Sequence, residues 1–383
     1  MPNISNGRIG AALWLVLAAA LVTYHLALIF SGLVPNLVSR PLHMAFILPF
    51  VFMLGNKGRW ATISGTVLAA MGMAAAIWIA INHDRLGDQY GFLESNTQIA
   101  IAVTLLVVTL EAARRAIGWP LPLVAAAALL YGLFGQHIPG QFGHSGTPIA
   151  SFLGTMTIAE GGIFGSLTGV SVGVVAIFVI FGAVLNAGEA GQGFMNVAGA
   201  AAGRLKGGGA KVSVISSALF GSISGSASAN VASTGAITLP AMTKLGYPKR
   251  LAAAVEAVAS SGGQIMPPLM GAGAFLIAEY TRLPYLEVVK VSILPAFMYF
   301  GTVYLFVHII ALKEGMQGMA KEELPQMSDV LKHGWHFLLP LAVLVWLLVM
   351  NMSPMRVGYY AIVCMLVVAV LRFAVWFLFV VPK

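Results

Sequence analysis

The residues of this chain that are best suited to chemistry are uncharged oxygen donors grouped in one apolar segment, residues 213–242. Its centre is rich in glycine and carries hydroxyl or amide side chains at Ser222, Ser224, Ser226, Ser228, Asn230, Ser233 and Thr234. Glycine permits backbone conformations that turn carbonyl oxygens inward, and hard cations prefer oxygen ligands. Because the segment offers no carboxylate, it predicts a site for a monovalent ion, which we interpret as sodium. Free N–H groups where a helix restarts within the segment favour the anionic group of a substrate.

A second interrupted segment, residues 252–279, follows closely. Pro267 and Pro268 donate no backbone hydrogen bond, so they release carbonyl oxygens about four residues upstream. The residues concerned are Gly262, Gly263 and Gln264. Their carbonyl groups are predicted to complete the sodium site, although proline also kinks membrane helices that bind nothing.

Two features leave alternatives open. Glu256 lies shortly before the break and is either a functional carboxylate within the membrane or the partner of a nearby Lys or Arg; it is not predicted to be a ligand. Gly221 and Gly225 form a GxxxG pattern, which also serves close helix packing. For residues 221–234 we favour a binding site over packing, because seven polar side chains exceed what packing requires. For the glycines between 165 and 173 we favour packing.

Composition places the chain in a membrane. It has 383 residues, of which 59% are hydrophobic and 9% charged, and soluble domains average about 25% charged residues. The net charge of +8 comes from basic residues scattered singly or in short groups between apolar runs, so it does not indicate binding to nucleic acid. The lone Cys364 excludes a disulfide within the chain.

Catalytic patterns are missing from the sequence. The stretch GSISG has Ile223 where a nucleophile elbow has serine, and there is no Walker A, HExxH or dinucleotide-binding pattern. No Cys/His spacing for a metal occurs either. We therefore predict that the protein is not an enzyme, has no cofactor, and draws energy from an ion gradient, with Na⁺ as the coupling ion.

Apolar runs of spanning or nearly spanning length define the elements that position these residues. They cover about 9–31, 42–54, 60–82, 98–117, 119–134, 163–187, 285–312, 335–351 and 354–380. The run at 42–54 is short, so its ends are expected to extend. With a cytoplasmic N-terminus, fifteen of the 21 Lys and Arg residues fall on the cytoplasmic side and four outside, as the positive-inside rule requires.

This orientation holds only if residues 213–242 do not cross the membrane, because basic residues on both sides of the segment must face the cytoplasm. We therefore predict a re-entrant helical hairpin at about 211–243, with its tip at residues 225–230 inside the protein. Two arms of about 20 Å reach the middle of a bilayer and return. A broken transmembrane helix at about 250–281 is predicted beside it.

Three ordered motifs resemble the permeases of the tripartite ATP-independent periplasmic (TRAP) transporters, in particular the fused small-plus-large (4TM/12TM) permeases of the TAXI branch. They are GSISGSASANVASTGAITLPAM at 221–242, GYPKRLAAAVEAVASSGGQIMPPLMGAGAFLIAEY at 246–280 and LEAARRAIGWPLPLVAAAALLYGLFGQHIPG at 110–140. The resemblance runs from about residue 40 to beyond residue 320.

This resemblance implies a multi-pass, elevator-type secondary transporter of the bacterial or archaeal inner membrane. It would import organic acids with a sodium gradient and receive them from a periplasmic TAXI-type substrate-binding protein. Residues 1–135 would correspond to the small-permease scaffold and residues 136–383 to the first half of the large permease.

Carried onto this chain, the resemblance implies two sets of site residues. The sodium site would use Ser224, Ser226, Asn230, Gly262, Gly263 and Gln264. The carboxylate substrate would lie beside it, near Ser226, Ser228, Thr234 and Pro267.

The chain departs from the family in one respect. Transporters of this kind have two inverted repeats, each with a hairpin and a broken helix, and this sequence contains one such pair. We expect that a second-half permease chain supplies the other pair, or that the sequence is truncated and does not complete a transport cycle. A non-transporting membrane scaffold or a channel-like fragment is the alternative prediction.

Overall fold

The computed structural model describes residues 7–31, 34–54 and 58–379 of the chain. All regular elements within these ranges are helices, which confirms the predicted class of an all-α polytopic membrane protein. The chain divides into two compact units, Met1–Gly173 and Val174–Lys383. The first unit therefore extends past residue 135, the predicted end of the scaffold. The division into compact units does not show which residues correspond to a small permease, so the boundary at residue 135 stays a prediction.

The N-terminal unit is an assembly of helices joined by short links. Its helices are α1 (Gly7–Ala27), α2 (Asn36–Met53), α3 (Arg59–Ile81), α4 (His83–Asp88), α5 (Asn96–Ile117), α6 (Pro120–Phe134), α7 (Ile149–Thr157) and α8 (Ser166–Val170). The Ser95 hydroxyl and the Gln98 side chain form a capping box at the start of α5. Gly118 ends α5 with φ +84° and Pro120 begins α6, so glycine and proline set the link between these two helices.

Small residues allow α2, α3 and α5 to pack closely in this unit. A methyl group on Gly72 of α3 would meet the side chains of Leu48 on α2 and Val108 on α5. One of the glycines between 165 and 173, for which a packing role was predicted, also lies close to another side chain in this unit. Gly169 leaves room for the Arg40 guanidinium, which donates a 2.8 Å hydrogen bond to the Phe164 carbonyl.

The C-terminal unit contains the two interrupted segments. A π-helical turn, Ser171–Val175, leads into it. Its helices are α9 (Ala176–Ala187), α10 (Ala190–Ala202), α11 (Gly208–Ser224), α12 (Ala227–Lys244), α13 (Lys249–Ser261), α14 (Ala272–Thr281), α15 (Tyr285–Lys313), α16 (Met327–Val349) and α17 (Pro354–Phe379). Short 3₁₀ turns lie at Gly262–Ile265 and Lys321–Glu323.

The core of this unit lies between α11, α12, α13 and α15. It is built from Ala210, Val214, Met242, Tyr247, Ala252, Val255, Ala259 and Val307. The opposite side of α15 is apolar and uncovered, with Val291, Leu294 and Phe297 between 65% and 75% exposed. An uncovered apolar face of this length fits contact with lipid.

The helices agree with the apolar runs found in the sequence. Each of the nine predicted spans is helical over most of its described residues. Helix α2 begins at Asn36 and ends at Met53, so the short run at 42–54 is extended at its N-terminal end. Within the described residues, six helices are long and apolar enough to cross a membrane: Gly10–Ala27, Asn36–Met53, Arg59–Ile81, Ser166–Ala187, Tyr285–Lys313 and Pro354–Ala374.

Candidate cation and substrate site

The segment at 213–242 is a helical hairpin. Helices α11 and α12, of 17 and 18 residues, are joined by a turn at Gly225 and Ser226. Gly225 has φ +59°, a left-handed conformation that favours glycine, and the Ser226 hydroxyl accepts a hydrogen bond from the Ala229 amide to cap α12. At the other end Gly209 packs against Met242, so the two ends of the hairpin lie side by side.

The second segment is a discontinuous helix. Its first half, α13, ends at Ser261, and the 3₁₀ turn Gly262–Ile265 and an irregular stretch lead to α14. The irregular stretch is held by hydrogen bonds from the Gly271 amide to the Gln264 carbonyl (2.7 Å) and from the Leu269 amide to the Ser222 carbonyl (3.1 Å). The second bond ties the break directly to the first arm of the hairpin.

Backbone atoms of the hairpin tip pack directly against backbone atoms of the helix break. A methyl group on Gly221 would overlap the Cα of Gly263, and one on Gly225 would overlap the carbonyl of Met270. Both glycines therefore serve close packing, which is the alternative considered for this GxxxG pattern. The same contact brings peptide groups of the tip and the break into one small region, as a cation site requires.

The predicted sodium ligands differ in their surroundings. The Ser224 Oγ atom is buried and has no hydrogen-bond partner among the described residues. The Asn230 side chain is fully buried, and its Nδ2 atom donates to the carbonyls of Ser217 (2.8 Å) and Ser260 (3.4 Å). Gly262 and Gly263 are buried at the break, whereas Gln264 is exposed. Asn230 thus links both arms to α13, while Ser224 is the unsatisfied group at the tip.

The predicted substrate residues fall into two places. Ser226 and Ser228 lie on the accessible side of the tip with their Oγ atoms 3.3 Å apart, and Pro267 is partly exposed. Thr234 lies about two turns deeper in α12, is 2% exposed, and donates a hydrogen bond to Glu256. The structure does not bring Thr234 to the surface formed by Ser226 and Ser228.

Glu256 is the centre of a hydrogen-bond cluster that was not predicted from the sequence. Its carboxylate is 1% exposed and takes part in no ion pair among the described residues. Four hydroxyl groups lie within hydrogen-bond distance of it: Ser213 (2.8 Å), Thr234 (2.6 Å), Thr238 (2.5 Å) and Ser260 (3.2 Å). They come from α11, α12 and α13, so one carboxylate joins both arms of the hairpin to the broken helix.

Among the described residues, Glu256 does not form the ion pair with a nearby Lys or Arg that was one of its two suggested roles. Lys211, on the same arm as Ser213, has its Nζ atom 3.0 Å from His308 Nδ1 and 5.1 Å from the ring centre of Tyr304, both on α15. A signal for the hydroxyl cluster was present in the spacing. Thr234 and Thr238 are four residues apart, as are Glu256 and Ser260, so each pair shares one helix face.

A helical hairpin whose glycine tip meets the break of a discontinuous helix, in a chain rich in apolar helices, defines a membrane transport permease. The match to a known family makes this class specific. Residues 103–378 match the family described as "Tripartite ATP-independent periplasmic transporter, DctM component". The chain therefore belongs to the DctM family of TRAP transporter permeases, a family of transport proteins rather than enzymes.

Curated relatives agree with this assignment. The chain is 32% identical over 176 residues to the isethionate TRAP transporter permease protein DctMQ of Oleidesulfovibrio alaskensis, covering 41% of this chain and 28% of the relative. It is 25% identical over 171 residues to the C4-dicarboxylate TRAP transporter large permease protein DctM of Pseudomonas aeruginosa, covering 44% and 40%. With the DctM protein of Rhodobacter capsulatus it shares 31% identity over 128 residues, 32% of this chain and 29% of that one. The matched region spans less than half the length of each relative.

Proposed function

We propose that this chain is the permease component of a TAXI-type TRAP transporter that imports organic acids with a sodium gradient by an elevator mechanism. Membership of the DctM family supports the transport role. Relatives named for isethionate and C4-dicarboxylates support an organic anion as the substrate class. The fused small-plus-large organisation, with residues 1–135 as scaffold, rests on the motif at 110–140 and on the N-terminal helices.

The observation that carries the sodium assignment is the Ser224 hydroxyl. A buried polar atom without a partner destabilises a protein by about 1–3 kcal/mol, so native structures rarely contain one without a role. Ser224 Oγ is such an atom, and it lies at the end of α11 beside the turn that touches the helix break. Sodium bound by this oxygen and by peptide carbonyls of the tip and break would satisfy it.

The substrate assignment rests on the start of α12. Ser226 caps this helix, and its hydroxyl together with that of Ser228 faces the accessible side of the tip. Helix N-termini attract anionic groups through free amide hydrogens and the helix dipole. A carboxylate held here would lie next to the proposed cation, and each charge would favour binding of the other.

The proposed partners follow from the same assignment. A periplasmic TAXI-type binding protein delivers the substrate, and a second-half permease region contributes the opposing hairpin and broken helix. The chain is placed in the inner membrane of a bacterium or archaeon, with its N-terminus in the cytoplasm. The distribution of Lys and Arg in the sequence supports this orientation.

Reconstitution tests the proposal directly. The chain is inserted into liposomes with a candidate second-half permease and its binding protein, and uptake of labelled organic acids is measured with and without an inward sodium gradient. We expect uptake that needs both the gradient and the binding protein. Uptake that is independent of sodium would remove the sodium assignment. No uptake in any combination would favour a scaffold or a channel-like fragment.

Replacing Ser224 with Ala is expected to weaken sodium dependence without loss of stability. The Ser224 hydroxyl makes no hydrogen bond in the described part of the chain, so its removal leaves no partner unsatisfied. Loss of one neutral oxygen ligand should raise the half-saturating sodium concentration by about tenfold, the equivalent of about 1.4 kcal/mol. Sodium titrations of uptake and of the thermal unfolding midpoint measure the two effects.

Ser216→Ala is the matched control. Its hydroxyl is buried in the same helix, bonds to the Ser213 carbonyl at 3.2 Å and lies about two turns from the tip. The Ser216→Ala substitution should leave the sodium titration unchanged. Equal effects of the two substitutions on the sodium response would exclude Ser224 as a ligand.

A further inference from the structure

The carboxylate of Glu256 lacks a compensating charge. It is 1% exposed, and the four hydroxyl groups that contact it are also buried. Hydroxyl hydrogen bonds stabilise a carboxylate, but they leave its full negative charge inside the protein. Buried ionisable groups in proteins are paired with an opposite charge, bind a cation or are neutralised by a proton.

The charged groups of the surrounding helices do not supply the missing charge. Lys211 on α11 is directed to His308 on α15. Lys244 on α12 and Lys249 and Arg250 on α13 are exposed near the ends of their helices. On α15, Lys290 forms an ion pair with Glu287 at 2.7 Å. Within the described residues, the hydrogen-bond partners of the Glu256 carboxylate are therefore all hydroxyl groups.

We propose that Glu256, with the hydroxyl oxygens of Ser213, Thr234, Thr238 and Ser260, forms a second sodium site between the hairpin and the broken helix. The six oxygen atoms come from three helices and surround one region. Oxygen ligands of this kind suit a hard cation. One negative charge matches one monovalent cation, whereas a divalent ion would leave the buried site with a net positive charge.

The two threonines can turn their lone pairs toward a cation by exchanging the Glu256 carboxylate for a helix carbonyl as hydrogen-bond acceptor. Thr234 Oγ1 lies 2.8 Å from the Asn230 carbonyl as well as 2.6 Å from Glu256, and Thr238 Oγ1 lies 3.0 Å from the Thr234 carbonyl as well as 2.5 Å from Glu256. Each hydroxyl has one proton. When sodium enters, each proton can point to the helix carbonyl, and the hydroxyl oxygen then faces the ion.

This site differs from the sodium site proposed at the tip. The tip site depends on Ser224 and on peptide carbonyls, whereas this site uses side chains about two to three turns down the hairpin arms. The inference deepens the proposed sodium coupling and rests on it only for its role in transport. Sodium binding at Glu256 itself can be measured without transport.

The test is thermal unfolding of the purified full-length chain in detergent, with NaCl titrated against choline chloride at constant ionic strength. The wild-type midpoint is expected to rise with sodium. Glu256→Gln should raise the half-saturating sodium concentration by about tenfold or more, because ligand charge sets cation affinity. In choline chloride alone, this variant should melt at or above the wild-type midpoint, because an uncompensated buried charge has been removed.

A second pair of variants tests the site without changing charge. Thr238→Val removes one oxygen while keeping the shape of the side chain, and Thr238→Ser keeps the oxygen. We expect the valine variant to weaken the sodium response and the serine variant to retain it. If the two titrate alike, the hydroxyl is not a ligand and the proposed site is wrong.

Two further outcomes separate this proposal from its alternatives. If Ser224→Ala titrates like the wild type while Glu256→Gln loses sodium affinity, the tip assignment fails and the Glu256 site stands. If Glu256→Gln keeps the wild-type sodium response, the Glu256 site is excluded whatever Ser224→Ala does. The wild-type unfolding midpoint could instead be independent of sodium and depend on pH, with the pH dependence lost in Glu256→Gln. This result would show that a proton occupies the site, and it would overturn the proposal.

Discussion

Gly221→Ala is expected to lower the stability of the C-terminal unit by about 3 kcal/mol and to abolish sodium-dependent uptake. The added methyl group would overlap the Cα of Gly263 and come within 3.2 Å of Asn230 Nδ2. Both neighbours are fixed, because Gly263 is backbone in the 3₁₀ turn and the Asn230 amide is held by two carbonyls. Relief of the overlap therefore has to separate the hairpin from the broken helix, which disrupts the region proposed to bind sodium.

Gly273→Ala is the matched control. Gly273 lies in α14 of the same broken helix, and a methyl group there meets no atom within 4 Å. In a helix, alanine is favoured over glycine by up to about 1 kcal/mol, so this variant should be neutral or more stable. The comparison uses the thermal unfolding midpoint and uptake. A Gly221→Ala variant as stable as Gly273→Ala would mean that the tip and the break do not touch as described.

Hydropathy predicted the long helices because membrane-spanning runs need only length and apolar character. Hydropathy predicted the residues at which these helices begin and end less well. Helix α16 begins at Met327, whereas the apolar run begins near residue 335. The first turns of the helix carry Asp329 and Lys332, which are compatible with a helix but too polar to belong to an apolar run. Short helices such as α4 and α7 were not predicted, since they are too brief to give an apolar run.

The chain reversal at 213–242 was predictable because the basic residues on both sides of the segment constrain it. The observed turn at Gly225 and Ser226 lies at the start of the predicted tip, residues 225–230. The break in the second segment was less simple to place. Helix α13 already ends at Ser261, several residues before the prolines, because the carbonyls that lose their donors lie upstream of them.

The Glu256 cluster depends on how three helices are rotated about their axes, and this rotation cannot be predicted from the sequence. Thr234 illustrates the difficulty. From the sequence it is a polar residue near the tip and is predicted to contact the substrate, but in the structure it faces α13 and donates a hydrogen bond to Glu256. Periodicity shows which residues share a helix face, whereas packing decides which face meets which neighbour.

Asn230→Asp is expected to destabilise the C-terminal unit by about 3 kcal/mol or more, although the two side chains have nearly the same shape. The Asn230 amide nitrogen donates to the carbonyls of Ser217 and Ser260, and the residue is fully buried. A carboxylate would face these carbonyl oxygens without a proton to donate, and it would lie one threonine away from Glu256. An uncompensated buried charge accounts for the expected size of the loss.

Asn196→Asp provides the control for this substitution. The Asn196 side chain lies on α10, where its Oδ1 atom accepts an exposed hydrogen bond from Gln192 at 3.1 Å, and aspartate keeps that acceptor. Its unfolding midpoint should remain within a few tenths of a kcal/mol of the wild type.

Sodium distinguishes the two roles considered for Asn230. If its amide oxygen is a sodium ligand, aspartate adds a charge to the site, and saturating NaCl should restore the lost stability and increase sodium affinity. If instead its amide nitrogen joins the hairpin arms to α13 through hydrogen bonds, the loss of stability should persist at saturating NaCl. An added cation does not restore a donor to the two carbonyl groups. The hydrogen bonds of Asn230 favour the second result. Recovery in sodium would instead return Asn230 to the set of ligands, together with Ser224 at the tip.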